Sequence, residues 1–141
     1  FDGAVWTPLK SDALAALTIH SIHRDSVTGQ ILLAGERGNV YGFDGVGFAP
    51  QVTGINTDLY VLREDYSGFL WAGGYGGVLI RDAGSGWLPV STGDTEDIRD
   101  IDFLPGGDIW TAGGCDDGSC VSWAVLHYDG GNWTKYGESG S

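Results

Sequence analysis

An all-β fold built from repeated four-stranded antiparallel units is what this sequence predicts, on three observations. The first is a repeated order of elements: a short apolar strand, Ala-Gly, a glycine turn, a second apolar strand, an Asp-centred turn and an aromatic strand. The Ala-Gly pairs start at Ala34, Ala72 and Ala112, a spacing of 38 residues from 34 to 72 and 40 from 72 to 112. The second is apolar residues that alternate or form short runs rich in β-branched and aromatic types, which is strand rather than helix patterning. The third is glycine, 25 of 141 residues, concentrated between those runs. Four short strands in a period of about 40 residues make one propeller blade. The chain is therefore read as all-β, with about three four-stranded antiparallel blades that form part of a larger ring.

The elements follow in chain order within each unit. Innermost strands are predicted at 18–23, 59–63 and 98–103, and second strands at 30–35, 69–73 and 108–113. Third strands are predicted at 39–43, 77–81 and 123–128. Outermost strands fall at 47–52, 86–90 and 132–136, with a surplus one at 4–9. The blades are then 10–52, 53–90 and 91–136, with 1–9 as the outer strand of a preceding blade and 137–141 as a linker or tail. Only residues 12–17 have a helix-like composition, and that stretch is too short to hold a helix alone.

The turns have their own chemistry. Gly35 and Gly38, and in the second unit Gly73 and Gly76, flank the turn between second and third strands, where positive φ is expected; Gly113 opens the same connection in the third. Asp2-Gly3, Asp44-Gly45 and Asp129-Gly130 suit the next hairpin, because Asp can accept from the following backbone and Gly tolerates positive φ. Asp82 opens a turn one residue longer. Trp6, Phe48, Trp87 and Trp133 follow these aspartates at a fixed offset and are expected in the inter-blade core.

The pattern G-x-x-G-x-[VI]-x-x-[FY]-D-G-x-x-[WF] resembles the propeller repeats of secreted bacterial proteins and is similar to Asp-box (sialidase-type) and photosystem II assembly-factor-like blades. The resemblance covers nearly the whole chain and implies architecture; such repeats serve enzymes, lectins and scaffolds alike. The Asp-box form S-x-D-x-G-x-x-W is kept in spacing only by Asp82, Gly84 and Trp87, with Ile80 in place of Ser.

Closed propellers have about four to eight blades, whereas this chain supplies three, and it starts in the middle of a hairpin at Phe1-Asp2-Gly3. The expected partners are further blades, from the rest of a longer chain or from identical copies, with a dimer favoured. A net charge of −12 makes nucleic acid a poor partner. No apolar run is long enough for a membrane helix. Cys115 and Cys120 flank a four-residue Asp/Gly/Ser turn. A local disulfide is the favoured reading, and with it a secreted or cell-surface location.

No residue set reads as catalytic, and no cofactor or metal is expected. His20 and His23 point to opposite faces of a regular strand, and His127 lies on another blade. Asp94, Asp97, Asp116 and Asp117 offer oxygens without the spaced ligand series of a calcium loop. Arg24, Arg63 and Arg99 lie near the ends of innermost strands, with Asp25, Glu64 and Asp100 beside them as charge partners between blades. Tyr66, Tyr75 and Trp123 lie outside the repeat pattern and are the candidate ligand-binding aromatics. The function read from the sequence is a non-enzymatic extracellular module for protein interaction or structural assembly. The alternatives are a carbohydrate-binding lectin with a glycan partner, a sialidase-like glycosidase fragment, and a subunit that donates its first strand along a filament.

Overall fold

The computed structural model describes residues 1–115 and 122–137. Twelve strands fall into three four-stranded antiparallel sheets, each in simple sequence order. Blade 1 holds β1 (Ile19–Arg24), β2 (Ile31–Gly35), β3 (Val40–Phe43) and β4 (Phe48–Gln51). Blade 2 holds β5 (Leu59–Glu64), β6 (Leu70–Gly74), β7 (Leu79–Asp82) and β8 (Trp87–Pro89). Blade 3 holds β9 (Ile98–Phe103), β10 (Ile109–Gly113), β11 (Ala124–Tyr128) and β12 (Trp133–Tyr136). The first strands lie side by side, β1 against β5 and β5 against β9, so the blades are arranged about their inner strands. Short 3₁₀ turns occur at Asp12–Leu14, Glu36–Gly38 and Tyr75–Gly77.

Each blade buries its faces only against a neighbour. Between blades 1 and 2, Leu32, Ala34 and Val40 meet Leu59, Leu62, Ile80 and Trp87. Between blades 2 and 3, Val61, Trp71 and Leu79 meet Ile98, Ile101, Phe103 and Ile109. Blade 2 is covered on both sides, and its β6 is buried at every position. The equivalent β2 and β10 alternate or nearly so, as expected of sheets packed on one face.

Four Asp turns form as the sequence predicts. Asp2 Oδ1 accepts from Ala4 and Val5 N–H, and Asp44 Oδ1 from Val46 and Gly47. Asp129 Oδ1 accepts from Gly131 and Asn132, while Asp82 Oδ1 reaches Gly84 and Gly86 across its longer turn. Donation by Val5, Gly47 and Asn132 foremost holds the Asp2, Asp44 and Asp129 carboxyls below the usual range. Trp87 is buried and donates from Nε1 to Gln51 of blade 1 at 2.9 Å, and Trp133 packs at the margin of the second core.

Two expectations are corrected. Residues 4–9 form no strand. The outer position of every blade is already filled by β4, β8 or β12, so this segment has no ladder to join. Trp6 is accordingly 81% exposed, its ring tilted against that of Phe1 at 5.1 Å between centroids. The repeat register in blade 2 also moves by one residue. Ile19 pairs with Gly35, Leu59 with Gly74 and Ile98 with Gly113. The true equivalents are therefore Gly35, Gly74 and Gly113, spaced by 39 residues from 35 to 74 and 39 from 74 to 113. Gly73 stands where Ala34 does, and Gly76 where Arg37 does.

Close backbone approach explains the shift. A Cβ on Gly35, Gly74 or Gly113 would lie 2.1, 2.0 or 1.8 Å from the carbonyl oxygen of Thr18, Asp58 or Asp97. Those carbonyls accept from the next N–H in each blade, that of Glu36, Tyr75 or Gly114. Gly38 and Gly77 are equivalent in turn. Both have positive φ, and a Cβ would lie 2.2 Å from the Ile55 oxygen or 2.3 Å from that of Asp94, in the segment leading to the next blade.

Gly38→Ala adds both a clash and backbone strain and is expected to cost about 3 kcal/mol. Gly45→Ala, at positive φ with open space around it, is expected to cost about 1 kcal/mol. Urea unfolding of the two variants checks the difference; equal losses would mean the contact between turn and neighbouring segment is not tight.

Candidate functional site

Polar links join the blades near their inner strands. Asp58 Oδ1 accepts from the Arg37 N–H of blade 1 at 3.1 Å, and Asp97 Oδ1 from the Gly76 N–H of blade 2 at 2.9 Å. Ser21 Oγ accepts from Leu62 N–H at 3.0 Å. His23 Nε2 lies 3.2 Å from Glu64 Oε2, and Arg63 Nη2 lies 3.2 Å from Asp100 Oδ1. Glu64 and Asp100 are thus charge partners across blades. Asp25 is not: its carboxylate accepts from Val27, Thr28 and the Thr28 hydroxyl within its own turn. Arg99 pairs with Asp97 at 3.0 Å and lies over the Tyr60 ring at 4.2 Å. Two of the three inner-strand arginines are therefore held by carboxylates of this chain.

The outer faces of blades 1 and 3 form the largest contrast with the interior. By strand pairing, Ile22, Leu62 and Ile101 occupy one structural position. Leu62 and Ile101 are 0% and 2% exposed, whereas Ile22 is 65% exposed. Around Ile22 the same face of blade 1 carries Leu33, Tyr41 and Phe43 on neighbouring strands, half-buried, with Phe43 against Phe48 at 4.7 Å. On the opposite outer face, blade 3 presents Trp110 stacked on His127 at 4.1 Å and on Tyr136 at 6.0 Å. Asp102 stands exposed beside them, at the position His23 holds in blade 1.

A cleft of about 740 Å³ separates blades 2 and 3 and is lined by Tyr66, Phe69, Trp71, Arg81, Tyr128 and Trp133 among others. Trp71 Nε1 donates to Asp65 Oδ2 at 2.8 Å, and Asp65 Oδ1 accepts from Ser67 and Phe69 N–H, so the acidic wall is already engaged.

The candidate aromatics do not form one platform. Tyr66 is 72% exposed in the β5–β6 turn at the mouth of this cleft. Tyr75 lies in the turn at the other end of β6, and Trp123 enters β11 at that same end of blade 3. His20 meets the Tyr60 ring edge-on at 5.4 Å, and His127 Nε2 lies 2.9 Å from Asp108 Oδ2. The three histidines thus have separate partners. Asp94 is engaged by Lys135 Nζ at 2.7 Å and by Glu96 N–H. Cys120, Asp116 and Asp117 lie outside the described residues, and with them the expected bridge from Cys115. The sequence reading missed the Asp58 and Asp97 links and Arg81; the first were legible as an acid just before an inner strand.

Compared with protein families, curated proteins and solved structures, the chain matches none.

Glu64 is the most connected of these links. Burial alone raises its pKa, but the Ser26 hydroxyl and N–H and then His23 outweigh this, so its carboxyl titrates below the ordinary 4.5. A depressed carboxyl contributes stability that is complete above its unfolded value and lost as pH falls through the folded one. Glu64→Gln is expected to cost about 1–2 kcal/mol near neutral pH. Thermal melts should show that deficit shrinking below about pH 4.5; a deficit independent of pH would remove the charge from the account.

Proposed function

We propose that the chain is a non-enzymatic, secreted or surface-exposed β-propeller module for protein interaction or structural assembly, completing its ring with further blades. The observation that carries this reading is the single position that is buried as Leu62 and Ile101 and bare as Ile22. Burying an isoleucine side chain is worth roughly 1.5–3 kcal/mol. The surrounding face is apolar, so a neighbouring sheet is the covering that suits it.

A second copy is the favoured source of that sheet, and its blade 3 is the face that fits. Within the chain, His23 of one blade meets Glu64 of the next. Asp102 is equivalent to His23, and Arg24 to Glu64. If the outer face of blade 3 meets the outer face of blade 1 of another copy as blade 1 meets blade 2, Asp102 faces Arg24 with the signs exchanged. Neither has an ion-pair partner among the described residues. Two copies supply six blades, within the usual range of about four to eight. The spacing of Cys115 and Cys120 in the sequence, read as a local disulfide, supports the extracellular part of the reading.

Sedimentation equilibrium is expected to give a dimer. Arg24→Asp or Asp102→Arg alone should weaken it about tenfold, and the two together should restore it. A cooperative, stable monomer would overturn self-completion, and failure of the double exchange would overturn this pairing of faces.

A further inference from the structure

One cation of the cleft lacks the partner that its counterpart in the next blade has. Strand pairing sets Leu32 opposite Gly42, Trp71 opposite Arg81 and Trp110 opposite His127. Gly42, Arg81 and His127 therefore share one structural position, and the residue just before each second strand, Gln30, Phe69 or Asp108, lies over it. In blade 1 the Gln30 amide fills the space above Gly42, where a Cβ would come within 2.7 Å of it. In blade 3 the Asp108 carboxylate pairs with His127 at 2.9 Å. In blade 2 the acid is replaced by a ring: Arg81 Cζ lies 4.3 Å from the Phe69 centroid and 5.4 Å from that of Trp71.

The guanidinium thus lies over the Phe69 and Trp71 rings and is given no anion. Its Nε is buried without a hydrogen-bond partner, and no carboxylate of the described residues pairs with Arg81. Asp65, the acid lining the same cleft, is occupied by the Trp71 indole and two backbone N–H groups. With Nε buried, the terminal Nη donors remain for a forked acceptor, and the ring contacts hold the cation beside the cleft. The walls contributed by Tyr66, Tyr128 and Trp133 are aromatic and suit the flat or ring-shaped body of a ligand.

We propose that the cleft between blades 2 and 3 binds a carboxylate carried on a ring, with the Arg81 guanidinium holding the carboxylate and the aromatic walls holding the ring. Both blades belong to one chain, so this site does not depend on assembly with a second copy. The ring is that of an aromatic acid or of an acidic sugar, and the probes separate the two sources.

The experiment is an NMR titration of the full chain with phenylacetate and with glucuronate, each beside its neutral counterpart, phenylacetamide or glucose. Shifts are read at the indole N–H signals of Trp71 and Trp133. At least one carboxylate should bind about tenfold more tightly than its neutral counterpart. Phenylacetate alone would identify an aromatic acid, glucuronate alone an acidic sugar, and both a site selective for the carboxylate. Arg81→Gln should remove that preference and Arg81→Lys retain part of it. Phe69→Asp, which supplies within the chain the acid that Asp108 supplies to His127, should also abolish carboxylate binding. No binding of either acid up to about 10 mM, equal binding of acid and neutral counterpart, or a preference that survives both Arg81→Gln and Phe69→Asp would each overturn the proposal.

Discussion

A four-stranded sheet has two faces, and here each apolar face has only one thing to bury it, the sheet of a neighbouring blade. Among the described residues there is no helix layer and no shared central core; the two core clusters are the two joints between blades. Stability is therefore distributed as in a repeat protein, with a term for each blade and a term for each joint. Blade 2, enclosed by both joints, can dispense with polar alternation in β6 and uses Leu70, Trp71, Ala72, Gly73 and Gly74. Its small residues follow from that enclosure: a Cβ on Gly73 would come within 2.5 Å of Ile98 in the next blade.

The joints are narrow because backbone meets backbone. The turn after each of β2 and β6 is pressed against the segment leading into the following blade, closely enough that Gly38 and Gly77 have no room for a side chain. The same turns donate Arg37 or Gly76 N–H to an aspartate of that following blade, Asp58 or Asp97. An apolar joint alone would allow sliding; a carboxylate accepting a defined backbone N–H sets the position. The Asp turns at the outer hairpins work differently, since each closes on its own backbone and carries no information about the neighbour.

This division explains what could be read from the sequence. Strand order, blade count and the Asp turns depend on residues close in the chain, and all are visible in local patterning. The one-residue register of blade 2 is not local. Matching Ala34 to Ala72 preserves residue identity, but the carbonyls of Thr18, Asp58 and Asp97 require glycine at Gly35, Gly74 and Gly113, which only the paired inner strand reveals. The surplus strand at 4–9 failed for a related reason. Its Asp2 turn is local and forms, whereas its ladder needed a partner that the chain's blades do not have. For the candidate cleft, Tyr66 was legible as an aromatic outside the repeat. Arg81 was not, because its isolation is a matter of which residue crosses over it, and a register error of one residue conceals that.

The outer faces carry the remaining asymmetry, and it bears on how copies would meet. Blade 1 presents Ile22, Leu33, Tyr41 and Phe43 with Arg24 at the edge. Blade 3 presents Trp110, Val125, His127 and Tyr136 with Asp100 and Asp102. A solvent-facing sheet would ordinarily alternate apolar with polar residues, and the blade 1 face does not. Two identical apolar faces could meet across a two-fold axis, but that would leave the blade 3 face, with Asp102, bare. Pairing unlike faces instead matches charge and repeats the relation already present between blades within the chain. Such a joint is heterologous, so its rotation decides between a closed ring and a filament. In this chain the inner strands adjoin in sequence, β1 to β5 to β9, and each new blade is added about them. Repeating that step through the outer joint would add each further blade about the same inner strands, the arrangement a closed ring requires.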